Sequence, residues 1–180
     1  MRKLFTFLSL LLLASQIVNA QKCKPKITYT DDFTGATTEY WGGTLTSMSV
    51  YSLNVKYIPS VYFFKVKDKY VMSVGISVDG NPGNSIFLDK GTTIMFKLKN
   101  ELLTFTAEKA LVRRSRGGTS ITLISIISED DIKKMKNQAI LKGRIYRIVA
   151  NTDILFEFKV SKGRDKKIKK QLNCFLKKIK

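Results

Sequence analysis

A chain of 180 residues with 32 Lys and Arg, 14 Asp and Glu, a formal charge of +18 and no histidine excludes several chemistries at the outset. Without imidazole there is no Ser-His or Cys-His nucleophile pair, no general base of the commonest kind, and little basis for a zinc site. The cations are 25 Lys and only 7 Arg. Lysine is a hydrated point charge, whereas phosphate-reading surfaces recruit the guanidinium fork. The charge therefore argues against nucleic acid. It leaves anionic cell-surface polymers or lipid headgroups as partners, beside the plainer role of a solvated surface.

The chain opens with a positive Arg2-Lys3 pair, an apolar run from Leu4 to Ala14, and the small-residue sequence Val18-Asn19-Ala20. This is the pattern of a secretory signal peptide over residues 1–20, too short in its apolar part to span a bilayer stably. A single secreted α+β domain is expected over residues 21–180, soluble, with no transmembrane segment and no internal repeat or linker. Two cysteines in an exported chain suggest one disulfide, here Cys23 with Cys174. Free thiols or an intermolecular pair are the alternatives. Cys23 lies too far past the expected cut to be a lipidated cysteine.

Short strand signals then follow closely, separated by turn residues. "KITYT" alternates and meets the turn "DDFTG"; "TTEYWGGTL" and "SVYSLNVKYI" come next, the latter expected to end at Pro59. "VYFFKV" and "YVMSVGISV" read as a hairpin about "KDK", and "DGNPGN" is the strongest loop signal. "SIFL", "TTIMFKL" and "ELLTFTA" follow, the last two joined at Lys99-Asn100; "KALVRR" and "TSITLISII" flank the turn "SRGG".

The period then changes. "SEDDIKKMKNQA" predicts a helix over about 129–138, with Ser128 as N-cap, Asp131 closing a capping box, and three acids in the first turn favouring the helix dipole. A hairpin about Asn151-Thr152-Asp153 precedes an amphipathic helix over about 165–179. At about 100° per residue, Ile168, Leu172, Phe175, Leu176 and Ile179 form one apolar stripe. Cys174 projects to the opposite side, so a bond to Cys23 would strap the N-terminal segment over the outside of a helix docked on the sheet. An interfacial membrane helix is the rival reading of the same pattern. The expected fold class is α+β and mainly antiparallel: a bent sheet, a sandwich or a partly open barrel of about nine or ten strands, with one inserted and one terminal helix.

Four groups invite functional readings. Asp31 and Asp32 could ligate a calcium ion or a sugar, but an Asx-type turn closed by Gly35 accounts for every residue of "DDFTG" and is favoured. The aromatics crowding the N-terminal half could form a stacking platform or fill the sheet core; Trp41, beside Gly42-Gly43, is the candidate surface aromatic. Arg113, Arg114 and Arg116, with Gly117-Gly118, could hold a phosphate or sulfate, although strand alternation sets Arg113 and Arg114 on opposite faces. No metal, cofactor or catalytic residues are predicted. Paired carboxylates for glycosidase-like chemistry would need two acids facing one cleft.

"DDFTG", "ISEDDI" and "GRIYRI" together resemble the D-x-F-T-G opening, S-x-E/D-D-I/L helix and I-x-R-I/V strand of a set of small, secreted, uncharacterised bacterial β-rich proteins. The resemblance implies an exported domain of the periplasm or cell surface and no activity. The function expected is therefore a non-enzymatic structural or interaction domain. The alternatives are a basic protein binding anionic glycan, lipopolysaccharide or nucleic acid, and a lipocalin-like carrier of a small apolar ligand.

Overall fold

The computed structural model describes residues 23–32, 34–46, 50–52, 55–79, 88–115, 118–149 and 152–179. Residues 1–20, where a signal peptide is expected, and most of the "DGNPGN" loop lie outside them. Among the described residues the fold is mostly antiparallel β, in two sheets with two helices, as the strand spacing and the change of period predict.

The first sheet contains β1 (Ile27–Thr30), β2 (Thr37–Thr44), β3 (Val50–Ser52), β4 (Val55–Val66), β5 (Lys69–Asp79), β8 (Lys109–Ser115) and β9 (Gly118–Ile127). Its order is β1-β2-β4-β5-β9-β8, with β3 also paired to β4. The second sheet is β11-β10-β6-β7, built from β6 (Thr93–Leu98), β7 (Leu102–Thr106), β10 (Ile140–Val149) and β11 (Thr152–Lys159). Helix α1 (Glu129–Asn137) joins β9 to β10, and α2 (Lys162–Lys178) follows β11.

The expected end of a strand at Pro59 is not observed: β4 runs straight through it. On its β5 side β4 pairs without interruption, with Pro59 opposite Ile76. On its other side β2 reaches only Ser60 and β3 only Tyr57. In a strand, a residue's N–H and C=O point to the same neighbour, and the Pro59 carbonyl accepts Leu45 N–H at 2.9 Å on this second side. The missing N–H therefore falls in the gap between two partners and removes no ladder bond.

Period-two alternation fills the space between the sheets. Val61, Phe63, Val74, Ile76, Ile121 and Leu123 come from the first sheet; Ile94, Phe96, Ile145 and Phe156 come from the second. Tyr57 joins them: its ring meets Phe156 edge-on at 4.9 Å, and its Oη donates to the Glu157 carbonyl at 2.8 Å. Burial, with the Glu157 charge second, pushes the Tyr57 phenol from 10.0 up to about 12. A raised folded pKa contributes stability that is complete below the unfolded value. It is lost as pH climbs between about 10 and about 12, where the unfolded chain releases a proton the native state keeps. Urea midpoints should fall over this window, and the fall should be shallower in Tyr57→Phe than in the wild type; parallel curves would show that another group is responsible.

Helix α1 starts as its sequence dictates. Asp131 N–H donates to Ser128 Oγ at 3.0 Å, and Ser128 N–H donates to the Asp131 carboxylate at 3.2 Å, completing the capping box. Ile132 and Met135 are its buried residues. Helix α2 buries the predicted stripe of Ile168, Leu172, Phe175 and Leu176 against the core. It packs on β2 and against α1. Its first turn is tied to β10 by Ile140 N–H, which donates to Asp165 Oδ1 at 3.0 Å. Among the described residues, no helix is long and apolar enough to cross a membrane.

The bond between Cys23 and Cys174 is present, with the two Cα atoms 5.4 Å apart. The expectation that Cys174 faces outward requires correction, because only 4% of its surface is exposed. Sequence geometry placed only the strapped N-terminal segment on that side of α2. The bonded segment instead lies alongside the sheet, held by Lys26 N–H donating to Tyr40 O at 2.8 Å, and α1 flanks the helix as well.

Candidate anion-binding cleft

The residues singled out by sequence fall in different places. Asp31 closes the β1–β2 turn: its Oδ1 accepts Thr34 N–H at 2.8 Å and Thr34 Oγ1–H at 2.9 Å, Gly35 N–H donates to its carbonyl, and Gly35 sits at φ +68°. This is the Asx-type turn the spacing predicts. Asp32 is exposed beside it. Arg113 and Arg114 are exposed near the end of β8, opposite Ser120 and Thr119 on β9. Arg116 lies outside the described residues.

Trp41 is not a surface aromatic: only 2% of it is accessible. The cause is the diglycine that follows. A Cβ at Gly42 would collide with the Val61 carbonyl oxygen and come within 2.9 Å of Tyr62 Cα. Only the bare backbone lets β2 approach β4 this closely, and the preceding indole is drawn into the core. Of the other N-terminal aromatics, Tyr57, Phe63 and Phe64 are buried and Tyr29 is exposed.

Space remains beside this close approach of β2 to β4. A cleft of about 530 Å³ opens between β2, β4 and the first half of α2, lined by Lys26, Gly42, Gly43, Thr44, Tyr62, Arg164, Lys167, Ile168, Lys170 and Gln171. Gly43 has open space where a Cβ would stand. Tyr62, directly opposite Gly42 in the ladder, supplies one ring, half-buried; burial pushes its phenol up from the usual tyrosine value. Arg164, Lys167, Ile168 and Gln171 occupy one face of α2, at the i, i+3, i+4, i+7 spacing of a helix stripe.

Among the described residues, the lining contains four cations and no carboxylate. The acids are engaged elsewhere. Glu157 meets Arg144 at 2.6 Å, which holds its carboxyl below the usual range, and Glu101 meets Lys134 at 3.3 Å. Glu129 pairs with Lys133, Asp89 with Arg147, and Glu39 with Lys178. Asp165 is adjacent to Arg164 in sequence, yet it is committed to Ile140 N–H and to Lys169 at 3.0 Å. Among the described residues, Lys26, Arg164, Lys167 and Lys170 form no ion pair. A concave wall of uncompensated like charge focuses a positive potential into the cleft.

Comparison with protein-family models, curated proteins and solved structures returned no match. Among the described residues, no group of three or more acids or cysteines is placed to hold a metal ion. The cleft presents charge, a hydroxyl at Thr44, an amide at Gln171, glycine backbone and the Tyr62 ring.

Sequence reasoning placed the candidate anion site at Arg113, Arg114 and Arg116 and missed this one. The cleft is assembled from four segments distant in sequence. A detectable signal was present in α2, where Arg164, Lys167 and Gln171 fall on one edge of the apolar stripe while most lysines point elsewhere.

Proposed function

We propose that the protein is an exported, non-enzymatic interaction domain that binds an anionic polymer of the cell surface through the cleft between α2 and the β2–β4 ladder. The observation that carries this reading is the lining itself, which among the described residues has four cations without an ion pair, no carboxylate, and a concave shape. Export is supported by the leader-like first residues and by a disulfide, which persists in oxidising compartments. The resemblance of "DDFTG" and "ISEDDI" to secreted bacterial β-rich proteins points to the periplasm or cell surface.

The test is retention on a sulfated polysaccharide, heparin, as salt is raised. Binding through these cations should weaken steeply with ionic strength, because counterions compete for them. The double reversal Lys167→Glu/Lys170→Glu should weaken binding by at least roughly tenfold, the equivalent of about 1.4 kcal/mol. The exposed pair Lys97→Glu/Lys99→Glu changes net charge equally at a distance from the cleft, and should have a much smaller effect. Equal losses from the two pairs would mean that total charge, not the cleft, governs binding, and would overturn the reading.

A further inference from the structure

The neutral groups of the cleft bear on what kind of anion it accepts. A site for inorganic phosphate or a bare polyanion needs cations and N–H donors only. This one adds the Thr44 hydroxyl, the Gln171 amide and the Tyr62 ring, set beside a glycine backbone with open space above Gly43. The Gln171 amide is also unsatisfied: its Oε1 is shielded from solvent and has no hydrogen-bond partner. A buried acceptor without a donor is costly, which marks Gln171 as a polar group of the cleft wall whose hydrogen bonding the fold leaves incomplete.

From this combination we infer that the ligand is an acidic saccharide: hydroxylated rings bearing carboxylate, sulfate or phosphate groups, with one ring lying against Tyr62 over Gly43. The inference rests on the cleft being the binding surface. An aromatic face accepts the apolar C–H face of a sugar ring, and its surroundings accept the hydroxyls. Three of the four cations are lysines, point charges that serve any of these anionic groups without the planar match an arginine array imposes. The dimensions fit one or two rings. They do not fit a duplex, and a single aromatic offers no stacking platform for successive bases.

Titration calorimetry of the disulfide-bonded protein tests this with four probes: a heparin-derived tetrasaccharide, polyphosphate of equal charge, a single-stranded oligonucleotide, and phosphatidylglycerol vesicles. The tetrasaccharide should bind most tightly per charge. Tyr62→Leu should weaken it by roughly tenfold while changing polyphosphate binding less than about twofold. Thr44→Val, which keeps shape and loses the hydroxyl, should show the same selectivity and covers the case in which Tyr62→Leu fails to fold. Equal or tighter binding of polyphosphate, oligonucleotide or vesicles, or a saccharide affinity indifferent to both variants, overturns the saccharide assignment and leaves an anion cleft of another class. Insensitivity of every probe to Lys167→Glu/Lys170→Glu overturns the cleft itself.

Discussion

Replacing Cys23 and Cys174 together by serine should lower the unfolding free energy by about 2–5 kcal/mol, and reductant should do the same to the wild type. The bond joins residues 151 positions apart. Closing so long a loop restricts the unfolded chain by roughly 5 kcal/mol in the chain-entropy treatment, with native-state effects lowering the figure. Urea unfolding with and without a thiol measures it. The serine pair should also show a steeper dependence on denaturant, since its unfolded state exposes more surface. Identical midpoints for the two forms would mean that the bond merely decorates contacts that already hold. A local effect should accompany the global one. All four residues of β1 are exposed, so little burial holds the N-terminal segment once the bond is gone. Lys26 lies in that segment, three residues after Cys23, and the reduced protein should bind the anionic probe more weakly even where it remains folded.

Gly42→Ala should be the most damaging small substitution in the first sheet, costing about 3–5 kcal/mol when overpacking and left-handed strain are combined. Gly42 sits at φ +152°, and the atoms its Cβ would meet are backbone of Val61 and Tyr62, which no rotamer change can move. The accommodation available is a separation of β2 from β4, which would loosen Trp41 and the floor of the cleft together. A drop in thermal midpoint with a red-shifted tryptophan emission would report both, since Trp41 is the sole tryptophan. Gly43→Ala is the informative comparison. Its φ is also positive, +159°, but its Cβ would enter open space, so the backbone strain is present without the collision. Its structural cost should be smaller, and its methyl would intrude where a ligand ring is proposed to lie. Equal destabilisation by the two alanines would show that the close approach to Val61 is not what Gly42 supplies.

Local chemistry carried most of the architecture into the sequence. The Ser128 capping box, the two-residue turn at Lys99-Asn100 and the apolar stripe from Ile168 to Leu176 are each specified by residues within a few positions of one another. They were accordingly legible. Pro59 was misread because its role depends on two different strands, β2 and β3, sharing one edge of β4, a fact of pairing rather than composition. Trp41, the candidate surface aromatic, belongs instead with the core packing favoured for the aromatics. The strand signal over "TTEYWGGTL" does not reveal what its glycines are for until the register opposite Phe63 and Tyr62 shows them admitting a neighbouring backbone. Cys174 reads as outward-facing because helix geometry locates the side away from the apolar stripe but does not show that α1 also packs against α2. The anion cleft was the least legible feature, since Lys26, Thr44, Tyr62 and Arg164 have no sequence relationship. Their meeting is a product of the β1–β2–β4 order and of where α2 docks.

The placement of the disulfide has a mechanical consequence. Tension applied to the chain before Cys23 and after Cys174 would pass through one covalent bond between Cα atoms 5.4 Å apart, not through the sheets. Once the last turn of α2, with Phe175 and Leu176, has peeled away, neither hairpins nor the rest of the helix packing would bear load, and the enclosed stretch, roughly 500 Å if drawn out at about 3.3–3.6 Å per residue, would stay out of reach of a pulling force. A protein tethered at one end and loaded at the other would extend only after chemical reduction, however weak its hydrogen-bonded edges.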